Sequence, residues 1–170
     1  AEEKKAGTME LLFTKPLRDW DIILGKYLAS FLLVLFALIP TIVYYYSLYT
    51  LGSPAGNLDT PGIIGSYIGL VMLAASFCAV GIFSSCITPN QIVAFIVASF
   101  LCFLLFTGFE SISTLSFWSA NALQVKQLGI LYHYESMSRG LIDTRDILYF
   151  LSVIFLMLSI TKLILGSRQW

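Results

Sequence analysis

The chain has 170 residues, of which 58% are hydrophobic and 12% charged, and its mean hydropathy is +0.84. This balance excludes an ordinary soluble domain and predicts a membrane protein. The formal net charge is zero, so the positions of the basic residues along the chain are more informative than their sum.

Residues 1–26 form a charged leading segment with five basic and five acidic residues. Thr8 is placed to cap a short helix over MELLFT, which must end near Lys15 because Pro16 follows. Asp19 is placed to cap the helix that continues into the first apolar run. The residues alone leave two interpretations open: a helix presented to a partner, or a basic segment that fixes topology while its leucines lie on lipid.

Four apolar runs are long enough to cross a bilayer, whose hydrocarbon core of about 30 Å needs roughly 20 residues of helix. Pro40 lies inside the first run, and we expect it to kink that helix because proline removes a backbone donor and clashes with the preceding turn. The runs cover residues 27–50, 63–87, 92–109 and 147–165.

The second run carries Gly65 and Gly69, a pair of small residues at a spacing that lets helix backbones approach closely in lipid. We therefore expect this helix to pack inside a bundle. Residues 88–91, with a proline and capping side chains, separate it from the third run and predict a tight antiparallel hairpin. Residues 52–62 predict a loop between the first two runs.

Residues 110–146 are too many for a simple turn, and we expect an amphipathic helical segment on the membrane surface or capping the bundle. Asp143 is placed to cap the last run, with Asp146 at the capping-box position. Glu110 is interpreted as a hydrated carboxylate at a span boundary, and a functional intramembrane acid is the alternative. The apolar residues at helical spacing are Leu115, Trp118, Ala122, Val125, Leu128 and Tyr132.

Seven of the ten Lys and Arg residues lie in the leading segment and near or after the end of the fourth run. Four crossings return the chain to the same side, so both ends are predicted to be cytoplasmic. The other three basic residues lie in 110–146, which weakens this asymmetry without reversing it.

The residues argue against an enzyme, and we expect no catalytic residue, no cofactor and no metal site. The sequence has neither a GxxxxGK[ST] phosphate-binding loop nor an HExxH pair. His133, the single histidine, stands between two tyrosines in an outer loop and is interpreted as an interfacial residue. Any energy source would therefore come from a partner.

The segment EEKKAGTMELLFTKPLRDWDIILGKYLA resembles the cytoplasmic loop of the permeases of type 2 ABC exporters, which in that family meets the ATPase. The stretches YYYSLYTLGSPAGNLDTPGIIGSYIGL, TPNQIVAFI and SRGLIDTRDILYFLSV resemble the gliding-motility subgroup. The resemblance covers essentially the whole chain. Because the family has six spans, it implies that two spans precede Ala1.

Together with the four runs, this resemblance implies an all-α polytopic transmembrane helix bundle in the cell inner membrane. It would move an unidentified substrate with a separate ABC ATPase, as a homodimer or a heterodimer with a second permease, in a lipid bilayer and without nucleic acid. A scaffold that anchors an envelope or motility complex without transport is the alternative, and an intramembrane enzyme is a formal third.

The same resemblance implies four regions. These are a coupling loop and helix at 1–26, three transmembrane helices at 27–109, an extracytoplasmic loop with an amphipathic helix at 110–146, and a last transmembrane helix with a cytoplasmic tail at 147–170. The residues it places against the ATPase are Gly7, Thr8, Glu10, Leu11, Leu12, Thr14 and Pro16.

Overall fold

A computed structural model describes residues 1, 18–53, 56–114 and 122–167, and every regular element among them is helical. Within these ranges, four helices are long and apolar enough to cross a membrane, which confirms the all-helical polytopic fold. The first to fourth spans are Asp19–Leu51, Thr60–Ile87, Gln91–Ser113 and Thr144–Gly166.

The first span begins before the apolar run, and the Asp21 carboxylate caps its first turn. Arg18 is the N-cap, and its N–H donates to Asp21 Oδ2 at 3.1 Å. The prediction that Asp19 caps this helix is therefore wrong: the carboxylate three residues after the cap reaches back to the cap nitrogen. The helix is α over Asp19–Leu38, 3-10 over Ile39–Thr41 and α again over Ile42–Leu51.

The second and third spans are joined by a short turn and pack against each other. Asp59 caps the second span by accepting a hydrogen bond from the Gly62 N–H at 3.3 Å. Asn90 caps the third span by accepting from the Ile92 N–H at 2.9 Å. The third span is α over Gln91–Phe103, widens to a π-helix over Leu104–Gly108, and ends with the α turn Phe109–Ser113.

Between the third and fourth spans the described residues form two short helices, which we call the connecting helix (Ala122–Gln127) and the inserted helix (Ile130–Ser138). The segment is helical as predicted, but the helix is interrupted at Gly129, whose backbone is extended. Leu128, one of the residues of the expected apolar stripe, is 59% exposed and does not pack on the bundle. Leu115 and Trp118 lie outside the described residues.

The second span is the centre of the bundle. It packs against the first, third and fourth spans and against the inserted helix. Within the most apolar part of each span, 28% of the second span and 22% of the fourth are buried inside the protein, whereas only 6% of the first and of the third are buried. The first and third spans therefore present most of their surface outward.

The two ends of the bundle are distinguished by their packing. At one end, Lys162 Nζ lies 5.2 Å from the centre of the Trp20 ring, so the start of the first span and the end of the fourth lie together. We call this the Trp20 end. At the other end, the inserted helix buries Ile130 and Met137 against Phe150 of the fourth span. We call this the His133 end.

Two glycines of the second span seat the inserted helix. A Cβ added to Gly65 would fall on the carbonyl oxygen of Met137, and one added to Gly69 would lie 3.2 Å from the Tyr134 ring. Gly140 follows the inserted helix with φ +80°, and a Cβ added there would lie 3.0 Å from the carbonyl carbon of Pro61. The small-residue spacing therefore marks a close approach, as predicted, and the neighbour is the inserted helix.

Candidate functional site

The residues predicted to contact the ATPase belong to the leading segment and lie outside the described residues. The structure does show how the chain that follows them, from Arg18 onward, is held in the bundle. The predicted contact residues concerned are Gly7, Thr8, Glu10, Leu11, Leu12, Thr14 and Pro16.

The start of the first span is anchored more firmly than the rest of that helix. Ile23 is 1% exposed and Tyr27 is 9% exposed, whereas most of the span's later side chains face outward. Both lie in one cluster with residues of the second and fourth spans, namely Ala79, Cys86, Leu158 and Leu165. Because packed protein interiors deform little, this cluster ties the start of the first span to the second and fourth spans.

The turn between the second and third spans opens at the same end. Pro89, Asn90, Gln91 and Ile92 line a cavity of about 310 Å³. The backbone nitrogen of Ala1 lies 2.7 Å from Ser85 Oγ, near the end of the second span. Ala1, this turn and the start of the first span therefore all lie at the Trp20 end.

The helix type changes at Pro40, the position of the predicted kink. The 3-10 turn Ile39–Thr41 interrupts the α-helix, and the Tyr67 hydroxyl of the second span donates to the Thr41 carbonyl oxygen at 3.0 Å. Two cavities of about 360 and about 320 Å³ share Tyr67 as a wall. The kink itself stays a prediction.

A group of polar contacts that the sequence did not indicate lies at the His133 end. His133 Nδ1 lies 2.7 Å from Asp146 Oδ1, and Nε2 lies 2.9 Å from the Gln127 carbonyl oxygen. The imidazole stacks on the Tyr149 ring at 3.9 Å, and the Tyr149 hydroxyl donates to the Leu128 carbonyl oxygen at 2.6 Å. The inserted helix, the connecting helix and the fourth span therefore meet at one imidazole.

These contacts bear on two interpretations. The His133 side chain is only 12% exposed and is paired with Asp146, a partner that the interpretation as an interfacial residue did not include. Asp143 caps the fourth span through the Arg145 N–H, as predicted, and this hydrogen bond holds the pKa of the Asp143 carboxyl below its usual value. The Asp146 carboxyl does not complete a capping box, because it turns to His133.

A second ion pair joins the connecting helix to the third span. Lys126 Nζ lies 2.9 Å from Glu110 Oε1, with both side chains about one-third exposed. The hydrogen bond and the charge of Glu110 raise the pKa of Lys126. Glu110 is therefore a partly hydrated carboxylate, as interpreted, but it also has a specific partner that the sequence did not indicate.

Sequence reasoning missed these pairs because each joins residues from different helices. Lys126 and Glu110 are 16 positions apart, and His133 and Asp146 are 13 apart, with helix breaks between them. The sequence did contain one signal for the second pair. Asp146 is an acidic residue in the first turn of the fourth span, and Asp143 already occupies the capping position, so the Asp146 carboxyl was left without a role. Among the described residues, no group of three or more His, Cys, Asp or Glu side chains is placed to hold a metal ion.

Comparison with known proteins identifies the family. The family model for ABC-2 family transporter proteins matches residues 1–164, nearly the whole chain. Neither the curated proteins nor the solved structures that were compared contain a match. With four membrane-length helices, this chain is a multi-pass permease component of an ABC transporter and belongs to the ABC-2 transporter family.

Proposed function

We propose that this chain is the permease subunit of an ABC exporter of the gliding-motility type. It works in the cell inner membrane as a homodimer or a heterodimer with a second permease, and a separate ATPase subunit supplies the energy. The family membership supports the partnership with an ABC ATPase. The resemblance of YYYSLYTLGSPAGNLDTPGIIGSYIGL and SRGLIDTRDILYFLSV to the gliding-motility permeases supports the subgroup.

The observation that carries this proposal is the anchoring of the first span at the Trp20 end. Residues 7–16 end only a few positions before the helix that starts at Asp19. Ile23 and Tyr27 tie that helix to the second and fourth spans. A short helix held by the ATPase would therefore act on three spans at once, as a coupling element requires.

The contact itself is assigned to a small apolar anchor beside a carboxylate. Leu11 and Leu12 supply the apolar surface, Glu10 the charge, and Pro16 fixes the end of the helix. Such a contact changes the transport state only if it binds the two ATPase states with different affinity. Gly7, Thr8 and Thr14 complete the proposed contact region.

The proposed orientation places the Trp20 end in the cytoplasm and the His133 end outside. The Lys and Arg asymmetry supports it, because five of the ten basic residues precede the first apolar run. In this orientation the leading segment and the turn at residues 88–90 both face the ATPase, and the inserted helix lies on the outer side.

The test is a double variant, Leu11→Ala with Leu12→Ala, in the full-length permease expressed with its ATPase. Removing a hot-spot anchor costs on the order of 2 kcal/mol, or roughly thirtyfold in affinity. We expect normal membrane insertion, reduced co-purification of the ATPase and loss of permease-dependent ATP hydrolysis. The single variant Glu10→Arg should act in the same direction.

The matched control is Leu32→Ala with Leu33→Ala, which removes the same two side chains from outward-facing positions of the first span, 60% and 71% exposed. This control should leave ATPase recovery unchanged. Normal recovery and hydrolysis in the Leu11 and Leu12 variant would refute the docking proposal. Lost binding with unchanged ATP hydrolysis would favour the scaffold alternative.

A further inference from the structure

We propose that hydrocarbon chains of bilayer lipids occupy the two cavities that share Tyr67 as a wall, between the first and second spans beyond Pro40. This proposal needs only that the chain crosses a membrane, so it depends neither on the ATPase contact nor on the proposed orientation. It starts from the change in packing of the first span at its 3-10 turn.

The two halves of the first span pack differently. The helix Asp19–Leu38 supplies two residues to the core cluster that it shares with the second and fourth spans. The 3-10 turn Ile39–Thr41 and the helix Ile42–Leu51 contain no buried residue. At the turn, the Tyr67 hydroxyl of the second span donates to the Thr41 carbonyl oxygen at 3.0 Å. The second half of the first span is therefore joined to its neighbour by a polar contact and not by a packed core.

The space beside this contact consists of the two cavities, of about 360 and about 320 Å³. Volumes of this size are typical of ligand-binding pockets. The smaller cavity is lined by two tyrosines and four isoleucines of the first and second spans. The larger cavity also reaches the inserted helix, and its lining residues are Leu38, Thr41, Ser66, Tyr67, Leu70 and Tyr134.

The cavities lie at the depth of the lipid chains of one leaflet. Their lining residues on the second span fall within residues 63–70, and that span begins at Thr60, at the His133 end. At 1.5 Å per residue, these positions are roughly 5–15 Å below the end of the helix. Half of a hydrocarbon core of about 30 Å covers the same range.

The lining favours an uncharged, apolar occupant. Among the described residues, no charged side chain lines either cavity. Tyr67 and Thr41 are already joined to each other, and the Ser66 hydroxyl donates to a carbonyl oxygen of the inserted helix at 3.4 Å. The remaining hydroxyls, of Tyr45 and Tyr134, belong to different cavities. A water molecule needs two to four polar partners, and an ion would lose its hydration without compensation.

The surroundings of the cavities identify this occupant as lipid hydrocarbon. Ile39, Ile42 and Val43 of the first span are 58%, 57% and 62% exposed, and in a bilayer such side chains face lipid. A lipid chain can enter the cavities sideways from this medium without leaving an apolar phase. Empty cavities would instead deprive their walls of dispersion contacts. Lipid chains in this position support the second half of the first span, which has no buried residue of its own.

The experiment uses the full permease in phosphatidylcholine liposomes that contain a small fraction of phosphatidylcholine with a diazirine on its acyl chain. Irradiation converts the diazirine to a carbene, which inserts into nearby side chains, and mass spectrometry locates the label. The label on Tyr67 is divided by the label on Phe36, which is 74% exposed and reports contact with bulk lipid. We expect a ratio of at least one, although Tyr67 is only partly exposed, because a chain held in a cavity stays beside it.

The matched variants fill the cavities with a larger side chain. Leu70→Trp fills the larger cavity and Ile64→Trp the smaller one, so each should roughly halve the ratio and the double variant should remove most of it. Leu32→Trp is the control, because Leu32 is 60% exposed and lines neither cavity. Thermal unfolding checks that each variant is folded, and the ratio in the parent protein is informative without them.

Two outcomes would overturn the proposal. Unlabelled Tyr67 beside labelled Phe36 in the parent would mean that protein fills the cavities, whether further spans of the permease or a second copy of it. An unchanged ratio in the folded double variant would mean that the label comes from bulk lipid alone. Native mass spectrometry after detergent extraction gives an independent count: the parent and Leu32→Trp should retain phospholipid that the double variant loses, and equal retention would contradict the proposal.

Discussion

Gly65 shows how far a single residue can be interpreted from sequence. Its spacing from Gly69 predicted that another helix backbone comes close, and the structure places Met137 and Gly140 against it. The spacing carries no information about the neighbour's identity. Another membrane span would satisfy the same pattern, and here the neighbour is a nine-residue helix from a loop.

We expect Gly65→Ala to destabilise the protein, because the added Cβ would meet backbone atoms that cannot rotate away. Overpacking of this kind costs about 1–3 kcal/mol, which in a chain of this size lowers the apparent Tm by about 2–4 °C per kcal/mol. Thermal unfolding of the purified protein in detergent measures the change.

Gly81→Ala is the control, since it lies in the same span with nothing within 4 Å of the added Cβ. It should be neutral or stabilising by up to about 1 kcal/mol, the difference in helix propensity. Equal Tm values for the two variants would show that the inserted helix does not press on Gly65.

Capping residues were predictable in part: Asp143 caps the fourth span as predicted, whereas Asp19 does not cap the first. Asp143 needs only its own helix to act as a cap, so local sequence is sufficient to find it. His133 and Asp146 required knowledge of where the connecting helix ends and where the fourth span begins. Their pairing depends on three helices, and no local pattern encodes it.

At the scale of elements, the four spans could be predicted because a bilayer imposes their length and hydropathy. The segment between the third and fourth spans could be predicted only as helical. Its regular apolar spacing suggested one continuous stripe, but Gly129 breaks the helix and redirects the chain. The buried residues Ile130 and Met137 follow that break, and Leu128 before it is exposed.

Pro40 is expected to shape the whole first span, and its effect on mechanism can be tested. We expect Pro40→Ala to restore α-helical hydrogen bonding in place of the 3-10 turn and to straighten the first span. The prediction is a clear loss of permease-dependent ATP hydrolysis with no fall in Tm, because folding does not need the interruption. Both quantities are measured on the reconstituted complex.

Tyr67→Phe separates helix geometry from the hydrogen bond at this turn. It removes the contact with Thr41 and leaves the proline, so it should cost about 1 kcal/mol of stability and preserve coupling. Unchanged coupling in Pro40→Ala would mean that the interruption has no mechanical role.

For the whole molecule, burial is unevenly distributed among the spans. The second and fourth spans form the centre, while the first and third expose large side chains such as Phe36 and Phe95, at 74% and 72%. Composition predicted four hydrophobic helices but not which of them are the most buried, because all four are similarly apolar. Which helix lies at the centre depends on where small residues allow close approach.

The proposed orientation is tested with three exposed polar positions that lie in different connections. Cysteines replacing Asn57 and Gln127 should react with a membrane-impermeant maleimide added outside the cell, and one replacing Asn90 should react only after permeabilisation. Reporter fusions at Lys15 and Trp170 should give the cytoplasmic signal. Labelling of Gln127→Cys only from the inside would contradict the four-span topology.

The seating of the inserted helix also sets an order of assembly during synthesis. Ser66 and Ser138, in contact in the folded protein, are 72 residues apart in the chain. At about 5–20 residues per second, the ribosome needs roughly 4–14 s to make that interval. The second span must therefore wait in the membrane, with its glycine surface uncovered, until its partner has been translated. Because small residues at this spacing favour close approach of helices in lipid, that surface is open to pairing with other helices throughout this interval.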